Sequence, residues 1–192
     1  MKSMCNHFVI GVTGPSGSGK SFVLNHWAER GVMPIHADAV YHALLENDTD
    51  LRRAVVERFG TADRRVLARV VFSDPQSLRD LEAITHPAVI TAVKKQLSAV
   101  DCQQPVALEA IALFESGLDA LCAATVTVVA NDALRLRRLV ARDSRPEQDI
   151  RARMDAGQPA SWYTARANHI LDGNSVNLAQ DAITLLDEIL CK

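Results

Sequence analysis

The sequence predicts an α/β fold built on a mostly parallel five-stranded sheet with helices packed against it. Three observations carry this. Short apolar runs rich in β-branched residues recur at Phe8 to Val12, Val32 to Ala37, Val106 to Ile111, Thr125 to Ala130 and His169 to Leu171. Helical patterns separate most of them, and the whole of 38–100 shows helical patterns and no strand pattern.

Phe8-Val9-Ile10-Gly11-Val12 is continuous in its apolar character, as expected of a strand buried on both faces of a parallel sheet. It runs into a glycine-rich loop. From Lys20 the spacing of Phe22, Val23, Leu24, Trp27 and Ala28 marks one face of a helix, and Gly31 is its stop signal. The run Val32 to Ala37 then completes a βαβ unit. Beyond Asp38, Leu51 to Phe59, Arg64 to Phe72, Leu78 to Ile84 and Val89 to Leu97 read as helices, punctuated by Gly60, Asp74-Pro75 and His86-Pro87. A short helical stretch is predicted near Ser116 to Cys122. Asp132 is placed to cap the helix that carries Leu134, Leu136, Leu139 and Val140. The segment Arg142 to Arg166 is polar, holds seven arginines or glutamines, and has prolines at both ends of a short helix; a mobile flap is expected there. Leu178 to Leu190 closes the chain as an amphipathic helix.

A chain of 192 residues accommodates one α/β domain with inserted lobes. With 48% apolar and 23% charged residues it is a globular composition, which excludes a disordered or fibrous chain. The net charge of -2 provides no general attraction for nucleic acid or an anionic membrane, so neither is an expected partner and any anionic ligand is held by local groups. Cys5, Cys102, Cys122 and Cys191 are scattered without a CxxC pair or zinc spacing, which suits a reducing cytoplasm. No run approaches the roughly 18 apolar residues of a membrane span. A cytoplasmic protein, monomeric or weakly homo-oligomeric, is expected.

The segment GPSGSGKS, Gly14 to Ser21, matches GxxxxGK[ST] and stands between a predicted strand and a predicted helix, the context that this phosphate-binding motif requires. Gly14, Gly17 and Gly19 let the backbone curl, so that N–H groups along Gly14, Ser16, Gly17, Ser18 and Gly19 point at phosphate oxygens. The helix beginning at Lys20, Ser21 and Phe22 adds the positive end of its dipole. Lys20 supplies a charge for the β- and γ-phosphates, and the Ser21 hydroxyl is placed for Mg²⁺. A nucleoside triphosphate, ATP with Mg²⁺, is the ligand this implies.

Other residues carry two readings each. Asp38 ends the second strand, where a carboxylate suits proton acceptance or a water-mediated metal contact; equally, it suits an N-cap for a helix Ala39 to Leu45. Glu109, after Val106-Ala107-Leu108, fits either a group orienting the metal's waters or a structural ion pair. Arg138 and Arg142 lie four apart on one helix face, which suits phosphoryl charge or a solvated basic face. His86 before Pro87 is a helix-boundary residue or a ligand-contacting one. Trp162 and Tyr163 either stack on a base or pack the flap down.

The pieces VTGPSGSGKS, ADAVYH, ERFG, RRVLARVVFSD, ITHP, LFESGLD, RLVARD and ARANHILDGN follow one another along the chain. In that order, and over nearly the whole length, the chain resembles the dephospho-CoA kinase family. LFESGLD and the Arg64, Phe72, Asp74 pattern separate that family best from other small P-loop kinases. The resemblance implies ATP-dependent phosphorylation of the ribose 3′-hydroxyl of dephospho-CoA, the last step of coenzyme A synthesis. It also implies a P-loop kinase core over 1–37, 101–143 and 167–192, a helical substrate lobe over 38–100 and a lid over 144–166. Under it, Asp38 becomes the catalytic base, Arg142 meets ATP phosphates beside the lid, and Arg64 and His86 fall on motifs of the substrate lobe.

This chain departs from the family's pattern in places. GPSGSGKSF replaces the common GGIGSGKST, so Pro15 and Phe22 stand for a glycine and a threonine. His36-Ala37-Asp38 keeps one of two frequent aspartates, and Glu109 and Ala112 replace the aspartate and proline of DxPLLFE. Near the lid the family's RxxxQ pattern is out of register, Arg153 being followed by Gly157 and Gln158, and Gly173 stands where asparagine is usual. Two rival readings are a kinase of nucleoside monophosphates, which would turn over those acceptors, and a non-catalytic nucleotide-binding module, which would phosphorylate none.

Overall fold

A computed structural model of the chain describes residues 7–143 and 146–191, without the side chains of Phe72 and Ser73. Residues 144 and 145, where the expected lid begins, lie outside the described residues, as does Cys5. The chain divides into two compact units, Met1–Ile35 with Val100–Lys192, and His36–Ala99.

The first unit is built on β1 (Val9–Thr13), β2 (Met33–His36), β3 (Val106–Glu109), β4 (Ala124–Val129) and β5 (His169–Asp172). Among the described residues these form one sheet in the order β2-β3-β1-β4-β5. β1 pairs in parallel with both β3 and β4, and β4 in parallel with β5. Every residue of β1 is buried, which is why its pattern is continuous rather than alternating. Ile10, Val12, Val126, Val128 and Leu171 meet α1 (Lys20–Glu29) and α9 (Leu178–Leu190) in one core. Trp27 is its largest member, fully buried, with its indole N–H donating to the Ala182 carbonyl at 2.8 Å.

Between β4 and β5 lie α6 (Asp132–Asp143), α7 (Glu147–Asp155) and α8 (Ala160–Thr164). The cap of α6 differs from expectation. Asn131 Oδ1 accepts from the Leu134 N–H at 2.8 Å, and Asp132 sits inside the first turn. Both residues are good caps, and the backbone turns helical one residue earlier than the apolar spacing indicates. In the described part of the expected flap, Ile150 and Tyr163 are buried. Trp162 lies edge-on to Phe114 at 5.8 Å, with the Arg166 guanidinium over its face at 4.1 Å. These two aromatics pack the segment down. The stretch predicted near Ser116 to Cys122 is a 3₁₀ turn, Leu118–Leu121.

The second unit is helical: α2 (Ala37–Asn47), α3 (Thr49–Phe59), α4 (Arg64–Ser73) and α5 (Pro75–Leu97). Asp48, Asp63 and Asp74 cap the last three, each accepting two backbone N–H bonds, and Pro75 opens α5 where a missing N–H costs nothing. His86-Pro87 was expected to end a helix. Instead α5 runs through it for 23 residues. Ser77, Leu81, Thr85, Val89, Val93 and Leu97 are buried at four-residue spacing, and that stripe outweighs the single hydrogen bond that Pro87 removes.

Candidate active site

β1 delivers the chain to Thr13, opposite Thr127 of β4 and one residue past the Val12–Glu109 pair. The loop that follows turns on Gly14 (φ 127°), Gly17 (φ 78°) and Gly19 (φ 117°), all in the left-handed region. Space is as restrictive as conformation. A Cβ on Gly14 would fall 2.2 Å from the Val128 carbonyl oxygen, and one on Gly17 2.8 Å from that of Arg135. Gly19 then occupies the N-cap of α1 with no side-chain cap, so the first amides of that helix are presented to a ligand.

The loop carbonyls are held by cations, one after another. Lys20 is buried and its Nζ donates to Gly14 O at 2.8 Å and Pro15 O at 3.2 Å. Arg135 Nε donates to Ser16 O at 3.0 Å. Arg138 Nη1 donates to Gly17 O at 3.2 Å and Ser18 O at 2.8 Å. Five consecutive carbonyls thus point at positive groups. In a planar trans peptide the N–H points the opposite way, so fixing the Ser16 carbonyl also fixes the Gly17 N–H. Pro15 has no N–H, and the Ser18 N–H, expected to face phosphate, donates instead to the Pro15 carbonyl at 3.2 Å. Arg138 Nη2 reaches further, to Gly173 O at 3.0 Å, and joins this loop to the one after β5.

The sequence singled out Arg138 and Arg142 but not Arg135. The signal that would have found it is the i, i+3 spacing of Arg135 and Arg138, which shares a helix face as well as i, i+4 does. Arg142 faces elsewhere: its Nε pairs with Asp143 Oδ1 at 2.5 Å, and Asp143 also meets Arg153 at 3.4 Å. Ser21 stands exposed in the first turn of α1. Phe22 beside it is 45% exposed and packs against His26 with ring centroids 4.4 Å apart and the planes tilted by 41°. Glu109 is half-buried at the end of β3, beside Val12.

In the helical unit, Asp38 is the second residue of α2, whose N-cap is His36. The alternative N-cap role for Asp38 is therefore excluded, because the helix begins before it. Asp38 is exposed, and His42 follows one turn later on the same face. Partial burial pulls the His42 ring below the usual histidine pKa, the Arg64 guanidinium adds to this, and Asp38 and Glu46 oppose it. The same guanidinium acts against the burial that raises the Tyr41 hydroxyl. Asp38, His42, Tyr41 and Arg64 therefore share one electrostatic neighbourhood. His86 is half-buried on α5, its pKa lowered by burial and partly restored by Glu82. It is a separate position.

No group of three or more histidines, cysteines or carboxylates among the described residues could hold a metal. A serine hydroxyl at the start of α1 suits Mg²⁺, which keeps several waters and binds mainly through the phosphates that it accompanies. Among the described residues, Cys122 and Cys191 are free thiols, Cys122 partly buried and Cys191 exposed. No described helix is long and apolar enough to cross a membrane.

Known proteins are similar to this chain over most of its length. A family model described as dephospho-CoA kinase matches residues 8–180. A dephospho-CoA kinase of Syntrophotalea carbinolica is 33% identical over 189 residues, 93% of this chain and 90% of its own. Among solved structures, TT1252 from Thermus thermophilus superposes with a TM-score of 0.79 at 33% identity, covering 97% of each chain. A dephospho-CoA kinase from Campylobacter jejuni superposes at 0.65 with 25% identity, covering 94% of this chain and 96% of its own. With the family model spanning most of its length, this chain belongs to the dephospho-CoA kinase family.

Proposed function

We propose that this chain transfers the γ-phosphoryl group of ATP to the ribose 3′-hydroxyl of dephospho-CoA, giving coenzyme A and ADP. The observation that carries this is the loop Gly14 to Ser21, whose carbonyls are all turned toward cations from Gly14 to Ser18, within a chain matched to the family over 8–180. Amides in that arrangement, at the start of α1, suit the phosphate oxygens of a nucleotide. Lys20 exchanges the Gly14 and Pro15 carbonyls for the β- and γ-phosphates when the nucleotide enters, and Arg138 keeps the loop in shape. Arg142 leaves Asp143 to neutralise the transferred group.

Mg²⁺ bound with the nucleotide spreads the charge developing on the β- and γ-oxygens, and Ser21 is the residue that would hold it. Glu109, beside the root of the loop, orients water around the bound nucleotide. Asp38 accepts the proton of the 3′-hydroxyl, and Arg64 and His86 belong to the binding of dephospho-CoA by 38–100, with 144–166 acting as the lid. In this chemistry the protein contributes position and electrostatics more than covalent steps. The enzyme acts in the cytoplasm as a monomer or weak homo-oligomer, without nucleic acid.

The Asp38→Asn variant tests the assignment. It should bind ATP as the parent does and lose about 10²- to 10⁴-fold in turnover of dephospho-CoA, the usual contribution of a positioned base. Turnover at the parent rate would remove Asp38 from this role.

A further inference from the structure

Arg135 is a buried cation, 8% exposed, on a helix where Arg138 is half-buried and Arg137 and Arg142 are exposed. Its Nη1 pairs with Asp132 Oδ1 at 2.7 Å, an aspartate that is itself 82% exposed. Burying a guanidinium is expensive unless its donors are used, and the use made of it here is specific: Nε donates to Ser16 O at 3.0 Å. The backbone of the same residue completes the contact, since Arg135 O is the atom that a Cβ on Gly17 would strike at 2.8 Å. One residue therefore sets both the orientation of the Ser16–Gly17 peptide and the clearance at Gly17.

The geometry points to Arg135 as a positioning residue for the bound triphosphate, acting through the Ser16–Gly17 peptide without touching the nucleotide itself. The carbonyl of that peptide is fixed on the guanidinium, so its amide, Gly17 N–H, is held on the opposite side, toward the phosphates. The other two cations bond elsewhere on the loop, Lys20 to Gly14 and Pro15 and, once nucleotide enters, to its phosphates, and Arg138 to Gly17, Ser18 and Gly173. Each cation has its own part of the loop. Removing Arg135 frees the one peptide that the other two do not hold, and an amide that must be reoriented at each binding event gives up the advantage of a preformed site. This rests on the kinase reading only for what the nucleotide is used for; the positioning itself concerns ATP binding.

The test is isothermal titration of Arg135→Met and Arg135→Lys with ATP and Mg²⁺, alongside steady-state kinetics with dephospho-CoA and thermal unfolding. Arg135→Met removes the donors at similar length, and Arg135→Lys keeps the charge but not the fork. A loss of about tenfold or more in ATP affinity for Arg135→Met, a smaller loss for Arg135→Lys, and an unchanged KM for dephospho-CoA are expected. A purely structural arginine would lower the unfolding temperature and leave ATP affinity in place. If Arg135→Met does not fold, Arg135→Lys decides: ATP affinity within twofold of the parent in whichever variant folds overturns the proposal. Because titration needs no acceptor, a failure of dephospho-CoA to react would count against the proposed function and not against this residue.

Discussion

Gly173 lies so close to Ser18 that a Cβ on it would sit 2.1 Å from the Ser18 carbonyl oxygen, and both carbonyls accept from the Arg138 guanidinium, at 3.0 and 2.8 Å. The loop after β5 and the phosphate loop are thus one construction, pinned by a single side chain. Gly173 also explains a departure from the family's pattern: a side chain there would collide with backbone that cannot move without releasing Arg138.

Gly173→Ala should therefore destabilise the protein by about 1–3 kcal/mol, the usual cost of forcing extra volume into a packed site. Urea unfolding reads this directly. ATP affinity should fall with it, because relief of the clash displaces Ser18 and the loop that it belongs to.

Lys20→Met should leave the fold standing and reduce kcat by at least about 10²- to 10³-fold, the scale set by removing one group that stabilises transition-state charge. The comparison to make is kcat against far-ultraviolet circular dichroism. Loss of both together would mean that the bonds to Gly14 and Pro15 are structural first.

Acid should weaken the helical unit 36–99 before it protonates most carboxylates. Burial is the main cause holding His42 and His86 below the ordinary histidine range, with Arg64 adding to it at His42. An unfolded histidine takes its proton near about pH 6.5, earlier than these do, so the stability they contribute is present above that pH and lost as pH falls through their folded values. Asp74 and Asp80 are depressed by hydrogen bonds from Ser77 and from Arg58, so their contribution is lost only in the more acidic carboxylate range. Urea midpoints at about pH 7.5 and 5 should fall for the parent, and fall less for the His42→Gln, His86→Gln double variant. Equal sensitivity in both proteins would assign the effect elsewhere.

Pro87→Ala should stabilise α5, by up to about 3 kcal/mol, since it restores an N–H to a helix that already runs through this point. Chemical denaturation decides it. A destabilised variant would show that the ring packs usefully where it is.

Much of this fold was legible because its local signals agree with its packing. β1 is continuous in sequence and buried throughout, α9 falls on the predicted Leu178 to Leu190, and the phosphate loop announced itself by its glycines. The errors came where tertiary contacts overrode a local rule. Pro87 reads as a boundary until the stripe Leu81, Thr85, Val89, Val93 is seen to be buried on both sides of it. Arg135 reads as one more polar residue of an amphipathic helix, because nothing in a linear pattern says which backbone carbonyl, 119 positions away, it will meet. The electrostatic link between Arg64 and the Asp38–His42 face was equally hidden, since α4 and α2 are separated in sequence by a whole helix.

The measurement that bears most directly on the central claim is a coupled ADP-release assay with ATP and Mg²⁺, offering dephospho-CoA beside a panel of nucleoside monophosphates. ADP release that depends on dephospho-CoA, with coenzyme A as the product and little turnover of the others, is the expected result. Release driven by a nucleoside monophosphate, or ATP binding with no acceptor phosphorylated at all, would contradict it.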